Sequence, residues 1–124
     1  MKIKESGENY LETIWKLKKR SANIRSVDIV EELGYSKSSV SRAVNILKNK
    51  EYINIDPKNG LIEFTEKGFQ KAKDISERHK LLTSFLVSMG VGEEVAEADA
   101  CRIEHVISND SMAAIRKVME KAEK

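Results

Sequence analysis

The stretch "VDIVEELGYSKSSVSRAVNILK", residues 27–48, restricts the fold more than any other part of the chain. Two short runs with apolar residues at helical spacing meet at Gly34 and Tyr35, a joint tight enough to set two helices at an angle. Ser26 reads as the N-cap of the first run, Asp28 falls in its first turn and Gly34 stops it. Ser36 reads as the cap of the second, which lines one face with Val40, Ala43, Val44 and Leu47. Helix, tight turn, helix is therefore the element around which the rest must fold.

The flanks extend that outline. Residues 4–20 predict a helix with Tyr10, Leu11, Ile14, Trp15 and Leu17 at helical spacing, closed by a basic cluster where the helix dipole favours cations. After residue 50 the period changes: Tyr52, Ile53 and Ile55, the turn cluster "DPKNG" and the run "LIEF" predict a small hairpin. Thr65 can cap a long fourth helix over about residues 65–88, "MGVG" interrupts, and 91–108 and 109–123 predict two more helices. The expected fold is mainly α, with a winged helix-turn-helix over 1–65 and a helical domain over 66–124. Trp15, Phe69 and Phe85 are expected in the core.

Composition narrows the function. No apolar run reaches the ~20 residues that span a bilayer, and "MKIKESGENY" lacks the apolar stretch of a signal peptide, so no membrane partner and a cytoplasmic location are expected. A single cysteine forms no internal disulfide, which fits a reducing compartment. The net charge of +2 is unevenly spread: residues 1–60 hold 12 Lys/Arg against 8 Asp/Glu, and residues 61–124 hold 10 against 12. No acidic residue lies between Leu33 and Lys50, a segment carrying Lys37, Arg42, Lys48 and Lys50. An acid-free third helix, with Lys58 at the wing tip, suits the phosphates and major groove of double-stranded DNA. A solvated helix face is the plainer alternative.

The segment "ADACRIEHVISND", residues 98–110, gathers Cys101, Glu104 and His105. At i, i+3 and i+4 on one helix, the three share a face. Thiolate, carboxylate and imidazole are all donors to first-row metals. Cysteine–histidine catalysis would need an oxyanion pocket and a third orienting group that the sequence does not suggest, so neither an enzyme nor a small-molecule substrate is expected. A plain polar stripe stays open. His79 on the fourth helix, Asn9 and Glu12 on the first, and Glu97 one turn before Cys101 are further potential ligands. A site joining them would connect the two lobes, as a metal-operated switch requires.

The segments "ENYLETIWKL", "SKSSVSRAVNIL", "GLIEFTEKG", "ERHKLLTSFL" and "DACRIEHVISND" together resemble the diphtheria toxin repressor family of metal-dependent transcriptional regulators, over almost the whole chain. The resemblance implies a homodimer that represses metal-uptake genes from palindromic operators, with Fe(II) or Mn(II) as co-repressor. In 124 residues the SH3-like domain of longer members is not expected. The resemblance places a primary metal site at Asn9, Cys101, Glu104 and His105, a second at His79, Glu12 and Glu97, and DNA contacts at Ser36, Ser38, Ser39 and Arg42, beside Lys37 and Lys58 of the basic surface. Leu82, Phe85, Leu86, Val106 and Ile115 are expected to serve core and subunit interface. The pattern departs from both branches. Asn9 stands where the iron branch has methionine and the manganese branch aspartate. Cys101 matches the iron branch and Glu12 the manganese branch, while Thr83 and Glu97 replace the iron branch's second-site glutamate and histidine. Fe(II) is expected ahead of Mn(II). The alternative reading is a winged-helix regulator with a degenerate metal site, independent of metal or set by another effector.

Overall fold

The computed structural model describes residues 3–123, and side chains over residues 7–122. The order is α1 (Ile3–Arg20), α2 (Ser26–Leu33), α3 (Lys37–Asn49), β1 (Ile53–Ile55), β2 (Ile62–Phe64), α4 (Glu66–Ser88), α5 (Glu93–Ile103) and α6 (Asn109–Glu123). The chain divides into two compact units, residues 1–73 and 74–124, and α4 runs through the division.

The first unit is a winged helix-turn-helix. Tyr10, Leu11, Ile14 and Leu17 of α1, Ile29 of α2 and Val40, Val44 and Leu47 of α3 are all buried, joined by Ile24, Ile53, Ile62 and Ala72. Burial and the neighbouring Tyr35 phenol push the Tyr10 hydroxyl above its ordinary pKa. Gly34 closes α2 in the left-handed region at φ 71°, its N–H bonding the Val30 carbonyl. Ser36 caps α3, its Oγ accepting the Ser39 N–H at 3.1 Å. The N-cap of α2 is Arg25 rather than Ser26. The reason is local: the Asp28 carboxylate reaches back to the Arg25 N–H at 2.7 Å, which makes Ser26 the first helical residue.

The wing pairs β1 and β2 antiparallel, with Ile53 opposite Phe64, Asn54 opposite Glu63 and Ile55 opposite Ile62. Alternation puts Ile53 and Ile62 in the core and Asn54 and Glu63 in solvent. The Ile62 N–H also bonds the Ile24 carbonyl at 2.9 Å, fastening the sheet to the segment before α2.

Thr65 caps α4 by accepting the Gly68 N–H at 3.0 Å and donating its hydroxyl to the Glu51 carbonyl at 2.6 Å. Gly68 sits so close to the α3–β1 connection that a Cβ there would run into the Tyr52 carbonyl oxygen. Trp15, Phe64 and Phe69 form a tilted aromatic cluster, with Trp15 and Phe69 centroids 5.2 Å apart. Phe69 is nonetheless 45% exposed, so it is a surface residue and not the core residue its spacing predicts.

The second unit packs α5 and α6 with the later turns of α4. Leu82, Ala100 and Met112 form its buried centre, flanked by Leu81, Ile103, Ile107 and Ile115. Leu82 thus belongs to the core, Phe85 and Leu86 are half-buried, and Val106 is 62% exposed. The helix expected over 91–108 is shorter. Helix α5 stops at Ile103, and Ser108 caps α6 by accepting the Ser111 N–H at 3.1 Å. A residue that caps the next helix cannot remain inside the previous one, so the chain turns between them.

We expect Gly68→Ala to destabilise the first unit by about 1–3 kcal/mol, the range for forcing extra atoms into packed backbone. Urea unfolding followed by Trp15 fluorescence measures this; an unchanged midpoint would show that the α3–β1 connection yields freely.

Candidate metal centre and nucleic-acid interface

The metal-ligand candidates of the second unit cluster around one carboxylate. Glu104 is the C-cap of α5, its N–H bonding the Ala100 carbonyl at 3.0 Å, and its side chain is fully buried. Glu104 Oε2 accepts from His79 Nδ1 at 2.9 Å. Oε1 lies 3.4 Å from His105 Nε2 and accepts no hydrogen bond among the described residues. Cys101, Glu104 and His105 offer ligand atoms within 4.8 Å of one another. His79 Nε2 lies 4.0 Å from Glu97 Oε1, whose side chain is 64% exposed. The shared face expected from helical spacing is modified here: Cys101 is on α5, whereas Glu104 and His105 sit in the turn that follows it.

The turn is braced from α4. Arg78 Nη2 donates to the Ile107 carbonyl at 2.6 Å, fixing the segment that carries Glu104 and His105 from the residue next to His79. Arg78 carries no motif of its own in the sequence. Its only signal is adjacency to His79, and a bond to a main-chain carbonyl 29 residues away leaves no trace in local spacing. Thr83 turns its hydroxyl back to the His79 carbonyl at 2.8 Å, an intrahelical bond that also steadies the α4 turn bearing His79.

Asn9 and Glu12 lie one turn apart on α1 in the first unit, Asn9 half-buried and Glu12 only 3% exposed. The Asn9 main-chain carbonyl accepts the Thr13 hydroxyl at 2.9 Å.

The donor set fits a divalent transition metal. A buried carboxylate with an oxygen that takes no hydrogen bond is costly unless a cation or donor faces it. Imidazole, thiolate and carboxylate together suit a first-row ion, while a structural zinc site would be built mainly from cysteine and histidine.

In the first unit, Ser36, Lys37, Ser38, Ser39 and Arg42 are all exposed on the start of α3, and Lys58 is exposed at the wing tip. Ser36 Oγ also bonds Ser39 Oγ at 2.9 Å and lies 3.3 Å from Ser38 Oγ, so these hydroxyls form one polar group at the helix N-terminus. The face opposite Val40 and Val44 therefore carries no acidic side chain.

A winged helix-turn-helix beside a helical unit with such a ligand cluster defines a class of metal-binding transcriptional regulators, and the comparisons with known proteins agree. Residues 2–61 match the iron dependent repressor N-terminal DNA binding domain, and residues 65–124 match the iron dependent repressor metal binding and dimerisation domain. An HTH-type transcriptional regulator of Methanocaldococcus jannaschii is 33% identical over 121 residues, covering 96% of each chain. The HTH-type transcriptional regulator MntR of Listeria monocytogenes is 38% identical over 115 residues, covering 93% of this chain and 80% of the relative. A solved manganese-dependent transcriptional repressor in complex with manganese superposes with a TM-score of 0.82 at 25% identity, over 92% of this chain and 52% of that one. The manganese regulator SloR gives 0.80 at 25% identity, over 92% and 53%. The present chain thus spans about half the length of those two crystallised repressors. It belongs to the iron-dependent repressor family of transcriptional regulators.

If Cys101 is a ligand, the Co(II)-loaded protein should show a thiolate-to-metal charge-transfer band, and Cys101→Ser should remove it. Absorption spectra of the two proteins decide this; a wild-type spectrum without the band, at saturating Co(II), would take Cys101 out of the ligand set.

Proposed function

We propose that this chain is a cytoplasmic homodimeric repressor that binds a palindromic operator when a divalent metal ion occupies the cluster around Glu104. The observation that carries this reading is a fully buried carboxylate set against two imidazoles and a thiol, in a family of metal-dependent DNA-binding regulators. Cys101, Glu104 and His105 would hold the ion, and Asn9 is the further ligand that the family resemblance implies. His79 and Glu97, with Glu12, are the residues for a second ion. When bound, the metal supplies positive charge at a site where the protein has buried a negative one. The protein's own residues do the rest: Glu104 Oε2 holds the His79 imidazole by its Nδ1, and Glu104 Oε1, 3.4 Å from His105 Nε2, is left to face the ion. The switch is the difference in metal affinity between the DNA-competent and incompetent states, which by linkage equals the gain in operator affinity.

Fe(II) stands ahead of Mn(II) in this proposal because Cys101 is a soft donor that suits the later first-row ions. A manganese reading has its own support in the Listeria relative named MntR and in the manganese complex among the solved structures. Among the described residues, no helix is long and apolar enough to cross a membrane. The exposed side chains Val87, Met89, Val95, Val106 and Val118 of the second unit suit a subunit interface.

At the DNA, Ser36, Lys37, Ser38, Ser39 and Arg42 would meet the major groove and Lys58 the backbone beside it. The test is operator binding by the metal-free protein across a series of divalent ions at fixed salt, using a duplex selected from a randomised pool by the metal-loaded chain. Binding should require metal, and Arg42→Ala should cost about 1–3 kcal/mol if the guanidinium reads a base edge. Operator affinity that ignores metal would favour a degenerate site, and wild-type affinity in Arg42→Ala would reject this recognition face.

A further inference from the structure

Arg25 lies outside the recognition helix, yet two of its groups tie separate parts of the DNA-binding unit together. Its N–H is held by the Asp28 carboxylate at 2.7 Å, which fixes it as the N-cap of α2. Its side chain runs the other way and donates from Nε to the Asn59 carbonyl at 2.6 Å, 34 residues on. Asn59 belongs to the wing tip. There Asp56 Oδ1 accepts the N–H of Lys58 at 2.8 Å and of Asn59 at 3.3 Å, and the Asp56 carbonyl accepts the Gly60 N–H at 2.8 Å. Gly60 takes φ 73°, and Asn59 Oδ1 accepts the Leu61 N–H at 3.0 Å, so the tip is one closed turn. The Arg25 Cδ is also the atom nearest to where a Gly60 Cβ would stand, at 4.0 Å.

A two-stranded hairpin with three-residue strands has little to hold its tip still. Here the base is fixed by Ile53 and Ile62 in the core and by the Ile62–Ile24 bond, while the tip relies on its own turn and on the guanidinium of Arg25. A charged donor on a carbonyl gives a strong, directional bond.

We propose that Arg25 is a positioning residue for DNA binding: it straps the wing tip to the start of the helix-turn-helix and thereby sets where Lys58 meets the phosphate backbone. This rests on the repressor reading above, and it adds a residue that acts through another rather than by touching a base. The Nε bond fixes the tip's height over α2, and Asp28 fixes the anchor itself. Without the strap, Lys58 samples more positions and loses its set distance from the phosphates.

The test has one arm without DNA and one with it. In the free protein, backbone ¹⁵N relaxation should show the amides of Lys58, Asn59 and Gly60 becoming more mobile on the nanosecond scale in Arg25→Ala, with α2 and α3 unchanged. Unchanged wing relaxation would overturn the strap itself, whatever the protein binds. In the second arm, the metal-loaded protein is titrated with a duplex selected from a randomised pool by the wild type. Arg25→Ala should weaken binding about fivefold and Lys58→Ala by a similar factor, each lowering the salt slope by about one. The double variant should be no weaker than Lys58→Ala alone, because both remove the same contact. Losses that add would show that Arg25 meets DNA independently and overturn the positioning role. A looser wing with undiminished affinity would overturn its link to DNA. A wild-type protein that selects no duplex would reject the repressor reading beneath the proposal, while the relaxation arm would still judge the strap. Should Arg25→Ala unfold, Arg25→Met, which keeps the aliphatic stem and removes the Nε donor to the Asn59 carbonyl, serves in both arms with the same expected outcomes.

Discussion

The second unit is organised around a negative charge that solvent cannot reach. Glu104 has no exposed surface, and its two oxygens face His79 at 2.9 Å and His105 at 3.4 Å. A carboxylate in that position is stable only against positive charge or well-aimed donors, and the second oxygen accepts no hydrogen bond among the described residues. Much of the local architecture serves to keep it there. Helix α5 ends one residue earlier, Ser108 starts the next helix, and Arg78 grips the carbonyl of Ile107 between them. Leu82, Ala100 and Met112 supply the apolar packing that keeps the turn closed.

The first unit follows a different logic, in which short elements are fastened end to end. Ser36 and Thr65 each satisfy orphan amides at a helix start, and Asp28 does the same one step removed through the Arg25 N–H. Arg20 reaches from the end of α1 to Glu32 of α2 at 2.7 Å, and Lys18 to Glu63 of the wing at 2.7 Å. These exposed pairs contribute little stability individually. They tie the basic end of α1 to α2 and to the wing.

What could be read from the sequence follows from which signals are local. Gly34, Ser36 and Thr65 announce their caps by residue type, and the Val40/Val44/Leu47 stripe announces a buried face, so the helix-turn-helix, the wing and the start of α4 were legible. Helical spacing also brought Cys101, Glu104 and His105 onto one page, but it carried the helix too far, because Ser108 reads equally well as a last residue and as a cap. Phe69 has core spacing and sits at the surface, since the amphipathic stripe of α4 is decided by what it packs against. The sharing of Glu104 by His79, 25 residues earlier, and the Arg25–Asn59 strap are long-range bonds between groups that carry no periodic signature. Ser26 has the chemistry of a cap, but the competing Asp28 bond decides the register and makes it the first helical residue.

Whether Glu104 is buried in order to face a cation is measured directly by the effect of a divalent ion on unfolding of the wild type and of Glu104→Gln. The substitution keeps the shape and removes the charge. For a ligand that binds only the folded state, a free concentration of a hundred times the dissociation constant adds about 2.7 kcal/mol of stability. The wild type should gain on that order with Co(II) or Mn(II), and Glu104→Gln should gain almost nothing while its metal-free form still folds cooperatively. Equal metal-dependent gains in the two proteins would contradict the account and leave Glu104 as a partner of the two histidines alone.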